Sequence, residues 1–299
     1  MKKVIATVLT MGLALSMAAC GSKGEEVQDA ATETVSEVSE EVSDAAQEVT
    51  EDAADAAEEV ATEATEEATE DATEEATEET AAGDVMTHDD YVAADLDSEV
   101  TVETYVQAKQ GWWENEGVGN ATFYTQAEDG AYFIYNMPCS EEEYEQLTPG
   151  TKIKVTGYKS EWSGEVEITD AKFEIEDGNY VAEALDVTDL LADDALIDHQ
   201  NEFVSFKGMT VEASKDADGN DVAFLYNYDG SGSQGDDLYF NVSANGTTYT
   251  FTVESYLCGQ DSDVYKAVEG LNVGDTVDME GFLYWYEGVN PHITSVTVQ

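Results

Sequence analysis

Arginine is absent from this 299-residue chain: all 11 basic residues are lysines, set against 67 aspartates and glutamates. Arginine supplies the planar fork that grips phosphates and guanine edges, and a strongly negative chain repels polyanions over a screening length of about 8 Å and beyond. Composition therefore disfavours nucleic acid as a partner. Histidine is nearly missing too. His88, His199 and His292 are widely spaced, no His-x-x-x-His pair occurs, and there is no Gly-x-Ser-x-Gly elbow. Carboxylates are so abundant that their pairing carries no information. The expectation is a protein that is not an enzyme and uses no cofactor. Long hydrophobic runs are also lacking: the apolar stretch Val4–Ala19 falls short of the roughly 20 residues a membrane-spanning helix needs.

That stretch follows Lys2 and Lys3 and closes with Met17-Ala18-Ala19-Cys20. The arrangement resembles a bacterial lipoprotein signal peptide with its lipobox, Met17 standing where leucine is usual. The resemblance implies that residues 1–19 are removed and that Cys20 becomes the lipidated first residue. The mature protein would then sit on the extracellular face of a cell membrane. Each buried CH₂ contributes about 0.8 kcal/mol, so two acyl chains give stable anchoring.

Residues 24–84 hold 24 acidic residues and no lysine, and Ala61–Thr80 is a near-repeat of Ala-Thr-Glu-Glu. Such a segment buries too little apolar surface to offset chain entropy. Residues 20–84 are therefore read as a lipid-anchored acidic linker, disordered or weakly helical. Val35, Val38, Val42 and Val49 make at most a thin coiled-coil seam.

From about residue 85 aromatic, glycine and β-branched residues appear together and period-two alternation dominates, as in Val100-Thr-Val102 and Val166-Glu167-Ile168. Asp129-Gly130 and Asn245-Gly246 are hairpin signals. The expected class is all-β. An internal repeat sharpens this. Leu147, Gly150, Ile153, Val155, Gly157, Tyr158 and Gly164 recur as Leu271, Gly274, Val277, Met279, Gly281, Phe282 and Gly288 at an offset of 124. Strand, hairpin, short helix and a final strand pair, taken twice, resemble tandem OB-folds. These are five-stranded Greek-key barrels with a helix between strands three and four. Gly208 fits the strand-one motif of that module, whereas Thr104 replaces the glycine in the first copy. The resemblance places one OB-like domain at 85–177 and a second at 178–299, the latter with an insertion at about 216–237.

OB barrels bind ligands along one sheet face, between the loop joining strands one and two and the loop joining strands four and five. In the first copy those loops carry Trp112, Trp113 and Trp162, with Lys109 and Lys159 nearby; in the second they carry Tyr284, Trp285 and Tyr286. Loop tryptophans often fold back to close a barrel, but as exposed rings they form a stacking platform. These residues are the candidate ligand contacts. The expected role is a non-catalytic binding module for a glycan, a cell-wall fragment or a peptide. The alternative is a structural adaptor in an envelope assembly, and single-stranded nucleic acid is a lesser reading. Lys152 and Lys154 share a strand face, more simply a solvent stripe than an anion patch.

Asp216-Ala-Asp218-Gly-Asn220-Asp221 has the oxygen spacing of a calcium loop but lacks its later glycine and glutamate, so a hairpin turn is expected and no metal. Cys139 and Cys258 occupy matching places and are read as two buried thiols, an interdomain disulfide remaining the alternative.

Overall fold

In β1 (Glu99–Lys109) alternation sends Val100, Val102 and Val106 into a core. The computed structural model describes residues 84–299, so Cys20, the signal segment and the acidic stretch before residue 84 lie outside the described residues. β1 pairs antiparallel with β5 (Thr151–Trp162), and β5 pairs with β6 (Glu165–Asn179). β6 runs parallel to β4 (Ala131–Pro138), which pairs with β3 (Val118–Gln126). β3 returns to β1 and closes the sheet. A short β2 (Trp113–Asn115) lies along β3.

A second closed sheet repeats this connectivity. Its order is β12 (Leu238–Ala244), β13 (Thr247–Val253), β15 (His292–Val298), β14 (Thr276–Phe282) and β8 (Phe203–Glu212), and β8 pairs back to β12. The one parallel pair within the ring, β13 with β15, matches β4 with β6. A two-residue β7 (Leu185–Asp186) runs beside β8. The chain between β8 and β12 adds a hairpin, β9 (Ser214–Lys215) with β10 (Asp221–Val222), and a short β11 (Leu225–Tyr226) on β12. The described residues are thus mostly β, arranged as closed barrels.

Helices are short. α1 (His88–Ala93) precedes β1, α2 (Glu141–Gln146) joins β4 to β5, and α3 (Asp263–Glu269) joins β13 to β14. Ser140 caps α2 in a reciprocal pairing with Glu143, and Ser262 caps α3. The repeat explains itself in the register. Gly157 and Gly281 lie at irregular points of the β5–β6 and β14–β15 pairings. A Cβ at either would meet partner-strand backbone, at 2.7 Å from the Thr169 carbonyl oxygen and 2.3 Å from that of His292.

Both hairpin signals mark hairpins, by different means. Asn245 and Gly246 have φ of 52° and 83°, the mirror-image turn that a two-residue loop requires. The other connection runs from Ala127 to Gly130, and a Cβ on Gly130 would lie 2.2 Å from the His88 ring. The calcium-like spacing is a turn: Asp216 Oδ1 accepts the backbone N–H groups of Asp218 and Asn220 between β9 and β10.

The described residues, 84–299, belong to one compact unit. Each barrel has its own core, and a third cluster joins them: Tyr124 and Phe133 of the first against Phe282 of the second, flanked by Phe203, Leu257 and Tyr284. Tyr124 stacks on Phe282 with ring centroids 4.6 Å apart. Cys139 and Cys258 are free thiols, each pushed up to about 11 chiefly by burial.

Candidate functional site

The outward face of β3, β4 and β6 builds the site. Alternation turns Val166 and Ile168 into the first core and so turns Glu165 and Glu167 outward; Phe133 and Tyr135 point the same way from β4. The second barrel covers part of this face through the connection from Leu283 to Pro291. Trp285 N–H donates to Glu165 Oε2 at 2.9 Å, and Glu287 N–H donates to the Ser163 carbonyl at 2.7 Å. Gln110 Nε2 donates to Glu254 Oε2 at 3.1 Å, and Gly111 N–H to the Tyr256 carbonyl at 3.0 Å.

Where this cover is incomplete a cleft of about 500 Å³ stays open, lined by Phe133, Tyr135, Trp162, Tyr239, Tyr284 and Tyr286 as its aromatic walls. Glu167, Glu254 and Asp237 supply carboxyls, Gln110 and Asn290 amides, and no lysine lines it. That volume suits a small organic ligand. Tyr284 packs edge-on to Phe133 at 5.3 Å and stacks on His292 at 4.2 Å, which fixes the inner wall. Trp162 is 60 % exposed at the rim.

Burial raises the cleft's acids. Glu167 is pushed up to about 7 by desolvation, and Glu254 to about 7 by desolvation with added repulsion from Asp237. Glu165, behind them, reaches about 8, again chiefly through burial. His292 is held down at about 3 by burial and so is neutral.

Of the candidates read from sequence, Trp162, Tyr284 and Tyr286 meet in this cleft. Trp285 adjoins it but packs on the second core, beside Gly164. Trp112 folds back over the first core, its indole N–H donating to the Cys139 carbonyl at 3.0 Å. Trp113 is exposed on β2, outside the cleft. The Lys109 ammonium lies 3.6 Å from the Tyr144 ring centre and donates to the Tyr144 carbonyl. Lys159 is buried and donates to the carbonyls of Tyr91, Val92 and Ala94, capping the C-terminal end of α1. Lys152 is paired with Glu103 at 2.6 Å and Glu176 at 2.8 Å. Phe133, Tyr135, Tyr239, Glu167 and Glu254 were not singled out in the sequence. Alternation marks the strand residues among them as outward-facing, but nothing local says that a second barrel stands opposite.

No protein-family model and no curated protein matches the sequence. Among solved structures, the chain is similar to an Ifi202 HINa domain in complex with 20-bp double-stranded DNA, at 14% identity and TM-score 0.29, covering 68% of this chain and 98% of that one. It is similar to a murine DNA-binding protein bound to double-stranded DNA, at 12% identity and TM-score 0.29, covering 67% and 94%. A replication protein A heterotrimer bound to single-stranded DNA matches at 11% identity and TM-score 0.30, covering 67% of this chain and 49% of that one.

These comparisons correct one expectation. Nucleic acid was disfavoured on net charge and missing arginine, whereas the solved structures similar to this chain include ones that hold DNA. Net charge governs the far field, whereas a ligand on a barrel face is held by the few side chains it touches.

Proposed function

We propose that this chain is a lipid-anchored extracellular protein that displays two tandem OB-type barrels and binds, without catalysis, a small organic ligand in the cleft between them. The order of strands one, two, three, five and four around each ring, with the helix entering before strand four, supports the OB-type reading. The lipid anchor rests on the Met17-Ala18-Ala19-Cys20 sequence.

The observation that carries the binding role is the aromatic cleft. Six rings converge from both barrels on an open space rather than closing it, and Trp162 and Tyr286 are held exposed at its edge. Leaving such rings in water is unfavourable unless a ligand covers them. The test is tryptophan fluorescence and calorimetry of the full chain in detergent, titrated with neutral disaccharides, amines, short peptides and a single-stranded oligonucleotide. Saturable binding that Trp162→Ala weakens about tenfold or more supports the cleft. Binding unaffected by Trp162→Ala and Tyr286→Ala would place the ligand elsewhere, and the absence of binding to every probe would favour the adaptor role.

A further inference from the structure

We infer that the ligand of the inter-barrel cleft is an organic cation, an ammonium carried on an apolar body; this rests on the binding role proposed for the same cleft. The inference starts from Glu167. The residue is only 8 % exposed, it lines the cleft, and among the described residues its carboxyl has no hydrogen-bond or ion-pair partner. A buried acid is ordinarily paired, because removing a carboxylate from water without compensation is costly. Here no protein cation is at hand. The cleft lining contains no lysine, His292 is tied through Nδ1 to the Tyr124 hydroxyl, and the chain has no arginine.

Glu254 strengthens the case. It is 9 % exposed and faces the same space, and both bonds it accepts, from Gln110 Nε2 and Leu257 N–H, go to Oε2. Asp237 adds a third carboxyl, with Oδ1 taken by Ser255. Three acids and no base favour a cation in this partly desolvated space: Glu167 and Glu254, held at about 7, ionise once an ammonium charge stands beside them, and that charge interaction is stronger there than in water.

The aromatic walls decide what kind of cation fits. No cluster of three metal-ligating side chains occurs among the described residues, so a bare divalent ion lacks its cage. Ring faces instead attract weakly hydrated ammonium groups, and their apolar area covers a hydrocarbon body. A neutral sugar would stack on the same rings but bring no charge to the carboxyls. The same ammonium chemistry is offered by a free amine and by a lysine side chain of a peptide.

The experiment compares choline with 3,3-dimethylbutan-1-ol, its neutral isostere, in calorimetric titrations of the full chain in detergent. Cadaverine and a Gly-Lys-Gly peptide are run alongside to separate free amine from peptide side chain. Choline or an amine should bind at least about tenfold more tightly than the isostere. Glu167→Gln, which keeps shape and removes charge, should reduce that preference, and Glu167→Gln with Glu254→Gln should erase it, while leaving the isostere's affinity unchanged. Trp162→Ala should weaken every ligand. Equal binding of choline and its isostere, or a preference that survives both Glu167→Gln and Glu254→Gln, overturns the inference yet leaves the cleft as a binding site. Saturable binding of a neutral disaccharide alone, lost in Trp162→Ala, does the same. No binding of any probe overturns both readings. Thermal melts of each variant confirm that the barrels are intact.

Discussion

The Tyr124 hydroxyl lies 2.6 Å from Nδ1 of His292, a bond between the two barrels in which both partners are buried. His292 is neutral at pH 7, and its tautomer sets which of the two atoms donates. Tyr124→Phe keeps the ring stack on Phe282 but leaves a buried ring nitrogen without its partner. It should cost about 1–3 kcal/mol in urea unfolding, with the first barrel's own core unchanged.

His292 also gives the interface an acid limit. Its folded value is depressed from 6.5 to about 3, so between these the unfolded chain binds a proton that the folded chain does not. Its contribution is complete above about pH 6.5 and is lost as pH falls toward 3. The stability margin of the wild type over His292→Gln should therefore shrink as pH drops from about 7 to 4, at up to about 1.4 kcal/mol per unit. A margin independent of pH would contradict this.

Glu165 acts in the opposite sense. Its Oε2 accepts from Trp285 N–H and Gln200 Nε2, while Oε1 is buried without a partner, as is Asn201 Oδ1. Folding raises its value from 4.5 to about 8, so stability is complete below about 4.5 and declines until pH reaches about 8. Glu165→Gln preserves an acceptor and abolishes the titration. Its stability should exceed the wild type's by a margin that grows between about pH 5 and 8 and then levels, read from denaturation midpoints.

Lys159 holds α1 through three carbonyls at 2.8–3.0 Å. Lys159→Met fills the same space without donors and should cost about 2–4 kcal/mol. Hydrogen exchange should localise the loosening to residues 88–94.

Thr104 is fully buried and its hydroxyl has no partner. Thr104→Val removes an unsatisfied group at nearly constant volume and should stabilise by about 1 kcal/mol, seen as a higher thermal midpoint.

Much of the fold could be read in the chain because its signals are local. Leu147 and Leu271, with Gly150 and Gly274 three residues on, mark both helix exits, and Gly157 and Gly281 mark matching pairing irregularities. Asn245-Gly246 specified its turn through backbone sterics alone. Asp129-Gly130 marked a hairpin whose glycine answers to His88, 42 residues earlier in sequence, which no local rule reveals. The site was less legible. Trp112 and Lys159 have the chemistry of ligand contacts, but a barrel end and a helix terminus claim them.

The sequence by itself determined the alternating strands, the repeated module and the outward placement of Glu165 and Glu167, and it put Phe133 and Tyr135 on one shared face, because side-chain direction in a strand follows from its two-residue period. Only the tertiary structure decided which of those outward residues meet solvent and which meet a second barrel. Docking depends on surfaces more than 100 residues apart, such as Tyr124 and His292, and burial of a carboxyl depends on what stands opposite it rather than on its neighbours in the chain.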